Sequence, residues 1–139
     1  NYVFKLIDPI LKNKADFVIG SRFIDNISTF KTSFSRRIGI RIISSFIHLF
    51  ARVKVYDTTS GFRACNKEII NLFAISYPLE YPEPITTVEL VKRGYRIKEV
   101  GVNMNERQGG VSSIHAWKNA YYMLNVCLSI IVASTRRYK

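Results

Sequence analysis

The densest run of reactive residue types in the chain is Tyr56-Asp57-Thr58-Thr59-Ser60-Gly61-Phe62-Arg63, where one acid, three hydroxyls, a glycine and an arginine fall together. Such a run can present a carboxylate to take a proton, hydroxyls to donate hydrogen bonds and a guanidinium to meet phosphate oxygens. The plain structural alternative is an Asx or hydroxyl turn leading into a helix, and composition does not separate the two. Two further segments carry anion-binding chemistry. Gly20-Ser21-Arg22-Phe23 follows an apolar run of strand length. Ligands of open α/β sheets collect at the carboxyl ends of strands, so Arg22 stands where an anion would be met, or else makes a surface salt bridge. Glu106-Arg107-Gln108-Gly109-Gly110-Val111-Ser112-Ser113 follows a second extended segment and precedes a helix. The free N–H groups of that helix favour phosphate, although the spacing matches neither a Walker loop nor a dinucleotide fingerprint.

Metal and thiol chemistry find little to work with. The four aspartates, Asp8, Asp16, Asp25 and Asp57, are isolated, and no Asp-x-Asp occurs. His48 and His115 have no partner at ligand spacing, so no metal site is expected. Cys65 and Cys127 lie far apart in apolar settings and read as two free buried thiols of a reducing compartment.

The elements that must position these residues can be read from periodicity. A short helix closes at Asp8-Pro9-Ile10-Leu11, and Ala15 to Gly20 is a buried strand. Thr32 to Val53, with Phe34, Ile38, Ile42, Phe46, Phe50 and Val53 recurring every three or four residues, predicts a long amphipathic helix capped by Ser33 or Ser35. Ile38, Ile42 and Phe46 are expected to pack on the sheet. Lys67 to Ala74 and Thr86 to Arg93 read as helices, the proline-rich Tyr77 to Pro84 as non-helical, and Gly94 as a stop. Tyr95 to Met104 reads as a second strand, and Ser113 to Ser134 as one helix capped by the serine pair. Helices alternating with strands give an α/β layer fold, but two strands fall short of the usual five or so.

Charge and length bound the rest. The 139 residues carry 21 Lys and Arg against 10 Asp and Glu, a net charge of +11, and nearly half are apolar. That excludes a disordered or disulfide-scaffold chain and suits one domain. Between Asp25 and Asp57 there is no acid, yet Lys31, Arg36, Arg37, Arg41, Arg52 and Lys54 all fall there. The basic helix therefore suits an anionic membrane surface, or packs by its apolar stripe with its arginines solvated. Asn1 to Leu11 lacks the apolar core of a signal peptide, and the uncharged Tyr121 to Ala133 is short of the ~20 residues a span needs. The first residue is Asn1, and together with the strand shortage this reads as a fragment.

Taken in order, the segments resemble the C-terminal half of a family 2 glycosyltransferase catalytic domain, of the dolichyl-phosphate mannosyltransferase-like or bacterial cell-surface polysaccharide type. Six blocks carry the resemblance: Ala15 to Phe23, Arg36 to Gly39, Asp57 to Ala64, Tyr81 to Pro84, Gly94 to Val100 and Glu106 to Ile114. The resemblance implies the C-terminal portion of a GT-A (Rossmann-like) fold with a long C-terminal helix, residues 1–139 being the acceptor-side half. It implies inverting transfer of a sugar from a nucleotide-sugar donor to a polyprenyl-phosphate or glycan acceptor, at the cytoplasmic face of a membrane. A divalent metal, Mg or Mn, is implied for the complete enzyme, its ligands lying in an N-terminal half with Asp-x-Asp, so the fragment alone is expected to be inactive. Within this implied scheme Asp57 and Glu83 are the candidate catalytic acids. Arg22, Ser60, Arg63, Arg107, Ser112 and Ser113 are the candidate substrate-binding residues. Relatives often continue the Pro-Glu-Pro block with another Glu, where this chain has Ile85. A homo-oligomer is among the assemblies the resemblance allows.

Two readings from other classes compete. A basic nucleic-acid-binding module would explain the pI near 9.9 and the clustered arginines. No RNA-recognition, helix-turn-helix or zinc-finger pattern accompanies them, so a nucleic-acid partner is not expected. A non-catalytic interaction protein would follow if the gene itself began near Asn1.

Overall fold

The computed structural model describes residues 2–24, 33–104 and 116–138. Its centre is β1 (Phe17–Ser21), an apolar segment buried along its whole length. β1 pairs antiparallel with β2 (Arg63–Cys65) and parallel with β3 (Ile97–Gly101), in the order β2-β1-β3. Because both faces of β1 are covered, its sequence is continuously apolar and does not alternate. Val18 faces α1 (Tyr2–Leu11), where Leu6, Ala15 and Val102 complete one core. Phe17 and Ile19 face the other way, onto Ile69 of α3 (Lys67–Ile75) and Leu90 of α4 (Pro82–Lys92).

A third core lies behind α4. Ile43, Ile47 and Ala51 of α2 (Phe34–Ala51) meet Val88 of α4 and Val126, Ile130 and Ala133 of α5 (Ala116–Thr135). α4 thus sits between the sheet and two helices, and five consecutive positions on it, Thr86 to Leu90, are buried. Among the described residues no helix is long and apolar enough to cross a membrane.

The α/β class and most elements match the expectation from sequence, with four differences. α2 packs against α4 and α5, not on the sheet, and buries Ile40, Ile43, Ile47 and Ala51. Phe34, at 81% exposure, and Ile38 and Ile42, each at 42%, lie largely outside. Ser33 occupies the N-cap without a side-chain hydrogen bond. The proline-rich segment is partly helical: α4 starts at Pro82, a first-turn position where the missing N–H would have no partner anyway. The residue before it, Tyr81, takes a left-handed conformation at φ 48°, which breaks the chain direction into the helix. Finally, the segment after Asp57 is not all loop, since Arg63–Cys65 forms the third strand, too short to show alternation. Gly94 ends α4 at φ 87° as expected. The serine pair expected to cap the last helix lies outside the described residues.

Candidate functional site

The carboxyl end of β1 is where the reactive segments meet. The Gly20 amide donates to the Phe62 carbonyl at 2.8 Å, and the Ser60 hydroxyl donates to the Gly20 carbonyl at 2.6 Å. A Cβ on Gly20 would stand 2.8 Å from Phe62 Cδ1 and 3.2 Å from Phe62 O, so only glycine lets the 57–62 segment lie this close to the strand. Ser60, expected to touch substrate, is buried and engaged in this packing.

Two residues past Gly20, Arg22 reaches Asp57. Its Nε donates to Asp57 Oδ2 and its Nη2 to Oδ1, both at 2.7 Å, and its backbone N–H adds a bond to Oδ2 at 3.0 Å. The Thr59 hydroxyl approaches Oδ1 at 3.4 Å and accepts from Nη2 at 3.0 Å. A carboxylate offers about four lone-pair sites, and these four donors face all of them. The side chains are 8% and 0% exposed, a buried fork-to-fork pair. Asp57 and Arg22, expected as base and anion ligand, are thus each other's partners here. Thr58 beside them is fully buried, and its Oγ1 has no hydrogen-bond partner among the described residues.

Arg63 ties this loop to α4. Its Nε donates to the Ser60 carbonyl at 2.7 Å, Nη1 to Thr86 Oγ1 at 2.9 Å and Nη2 to the Glu83 carbonyl at 3.0 Å, with the guanidinium over the Phe17 ring. Burial lowers its pKa, against the charges of Glu83, Tyr77 and Asp57, which raise it. The guanidinium therefore lies in the field of both candidate acids.

Glu83 occupies the first turn of α4, where the positive end of the helix favours a carboxylate. Its carbonyl accepts from Arg63 and from the Thr87 hydroxyl, but its carboxylate has no hydrogen-bond or ion-pair partner among the described residues. Its charge is felt by Arg63 and by Tyr122 of α5, whose phenol is pushed up first by burial and then by Glu83 and Tyr81.

One acid had no role assigned from sequence. Glu99 of β3 lies opposite Ile19 of β1, and its two carboxylate oxygens accept from the backbone N–H groups of Tyr56 and Asp57, each at 2.8 Å. Burial pushes its carboxyl up, opposed by those two N–H groups and the Ser21 hydroxyl, with the Asp57 charge adding to the rise. The available signal was an acid at a half-buried strand position between Lys98 and Val100.

Arg107, Ser112 and Ser113 lie outside the described residues. Both cysteines are free and half-buried, and burial pushes their thiols up, away from reactivity. Among the described residues no three His, Cys, Asp or Glu side chains gather closely enough to hold a metal ion. A polar cleft of about 860 Å³ runs beside α4 and α5, walled by Tyr77, Tyr81, Glu89, Arg93 and Tyr121, and none of residues 57–63 lines it. Compared with family models, with curated proteins and with solved structures, the chain matches none.

Proposed function

We propose that this chain is the acceptor-side part of a family 2 sugar transferase of GT-A architecture, moving a sugar from a nucleotide-sugar donor to a glycan hydroxyl. The observation that carries the reading is convergence. Three of the six sequence blocks, up to about sixty residues apart, are tied together through Gly20, Arg22, Asp57, Arg63 and Glu83 alongside one buried strand. Turns formed for local reasons alone would not need to be cross-tied by two partly buried arginines.

Roles follow from which groups are engaged. With its oxygens held by Arg22 and Thr59, Asp57 orients the site, whereas the Glu83 carboxylate keeps lone pairs for a proton. An acceptor hydroxyl attacking the anomeric carbon loses its proton as the bond forms and the nucleoside diphosphate leaves, and Glu83 takes that proton. Arg63, between the two acids, supplies positive charge beside the reacting end. A lipid phosphate would need no such base, because its second pKa of about 6 leaves the attacking oxygen ionised at neutral pH. An uncommitted carboxylate thus favours the hydroxyl acceptor over the polyprenyl phosphate. A divalent ion belongs to the donor side of this scheme, and no step here runs through it.

The same reading takes an anionic membrane surface as partner for α2. With Ile40, Ile43 and Ile47 turned inward, the outer side carries exposed Phe34, Ile38, Ile42 and Leu49 beside exposed Arg37 and Arg41. Apolar side chains interleaved with cations are the composition of an interfacial helix.

The test is sugar transfer by the full-length protein, assayed with a panel of nucleotide sugars against glycan and polyprenyl-phosphate acceptors. Transfer to a hydroxyl acceptor is expected. Transfer to the phosphate alone would overturn the acceptor assignment, and no transfer from any donor would overturn the enzyme reading.

A further inference from the structure

The Asp57 loop is held from two sides. On one side Arg22 grips the Asp57 side chain. On the other, Glu99 grips the backbone: consecutive amides of Tyr56 and Asp57 both point at one carboxylate, 2.8 Å from each oxygen. The contact spans 42 residues of sequence at Asp57, so it is no local turn. It reaches the loop from the strand next to β1, since parallel pairing sets Glu99 against Ile19, two residues before Ser21 and three before Arg22. The Ser21 hydroxyl also bears on the Glu99 carboxylate. A half-buried acid that has no ion-pair partner among the described residues and instead receives two backbone N–H groups is costly to bury, and the bonds offset that cost only while both oxygens accept.

We propose that Glu99 is the positioning residue of the site: its carboxylate fixes the backbone of Tyr56 and Asp57 and thereby sets where the Asp57–Arg22 pair stands relative to Glu83. This rests on the sugar-transfer reading for its catalytic consequence, but the loop-holding itself does not. Only an ionised carboxylate serves. A protonated acid, or a glutamine, places a donor against one of the two backbone N–H groups and loses that bond. The charged group facing Glu99 from the loop is Asp57; the facing hydroxyl from β1 is Ser21, and Lys54 is turned onto the Tyr56 ring at 5.2 Å. The nearby Asp57 charge and burial both favour protonation, so the bond pair opens at a pH above the ordinary glutamate range as the medium is acidified.

The experiment compares full-length wild type, Glu99→Gln, Glu99→Asp and the exposed neighbour Lys98→Gln. Amide hydrogen exchange over residues 54–61 is followed from pH 4.5 to 8, with thermal unfolding to check the fold. Expected are exchange at Tyr56 and Asp57 raised at least about tenfold in Glu99→Gln at pH 7, partial recovery in Glu99→Asp and no change in Lys98→Gln. Wild type should approach the Glu99→Gln exchange as pH falls, and Glu99→Gln should lose that pH dependence. In the transfer assay the acid limb of wild-type kcat should likewise be absent from Glu99→Gln, whose kcat is lowered throughout. Unchanged exchange in a folded Glu99→Gln would overturn the proposal. Changed exchange with an unaltered kcat profile would overturn its positioning role. If wild type transfers no sugar, the enzyme reading fails, and with it the positioning role, while the exchange arm still decides whether Glu99 holds the loop.

Discussion

At the scale of single residues, the site is organised by how each charge is compensated. Asp57 and Arg22 form a buried pair, and breaking such a pair from one side leaves the other charge desolvated. Asp57→Asn should therefore lower folding stability by about 3–5 kcal/mol, read by urea unfolding, and the double variant Asp57→Asn/Arg22→Met should recover part of that loss. Equal and additive losses would show that the two residues are not coupled. Asp16 makes the opposite kind of test, at the surface. The hydrogen bonds from Arg96 hold its carboxyl below the ordinary value of 3.8. Its contribution to stability is thus fully present above the unfolded-state value and is lost as pH falls through the lowered folded value. Asp16→Asn should flatten the stability profile below pH 4 and leave that above pH 5 nearly parallel to wild type. Glu99 has the reverse sign. Its raised carboxyl favours the fold while protonated, and that contribution is lost as pH rises from the usual value near 4.5 through the raised one.

At the scale of elements, the sequence could be read wherever one rule decided the outcome. β1 was legible because Phe17, Val18 and Ile19 form an apolar run ending at a glycine that has few other uses, and Gly94 because only a left-handed turn stops a helix there. The α2 helix was legible, but its inner face was not. Phe34, Ile38 and Ile42 and the buried Ile40, Ile43 and Ile47 all satisfy helical spacing, and only the arrival of α5 at Met123, Val126 and Ile130 selects between them. β2 was invisible because three residues carry no period, and the start of α4 was hidden because proline forbids a helix interior yet suits a first turn. The candidate site was legible as a list of segments and not as a geometry: nothing in the spacing says that Arg22 closes on Asp57 or that Glu99 reaches its backbone. Gly20 is where element packing and site meet. Gly20→Ala should cost about 1–3 kcal/mol, because the new methyl must displace the Phe62 ring and its carbonyl. A melting temperature equal to wild type would contradict the close approach described for the strand end.

At the scale of the whole molecule, the net charge of +11 acquires a location. Two of the arginines, Arg22 and Arg63, are inside the site, while Arg36, Arg37 and Arg41 stand exposed on α2. The outer arginines account for the membrane proposal. Each basic residue near an anionic surface is worth about 1 kcal/mol, so Arg37→Gln/Arg41→Gln should weaken binding of the full-length protein to vesicles rich in anionic lipid by about thirtyfold. Binding that ignores anionic lipid content, or persists unchanged in this variant, would remove α2 as the docking helix. The inner arginines account for the chemistry, since they bring two acids under one electrostatic roof and leave only one of them, Glu83, without a partner among the described residues. The most direct measurement is therefore the turnover of full-length Glu83→Gln with a nucleotide-sugar donor and a hydroxyl acceptor, alongside its unfolding curve. Loss of a general base predicts kcat lowered by about 10²–10⁴-fold with stability close to wild type. Turnover within a few-fold of wild type would contradict the account.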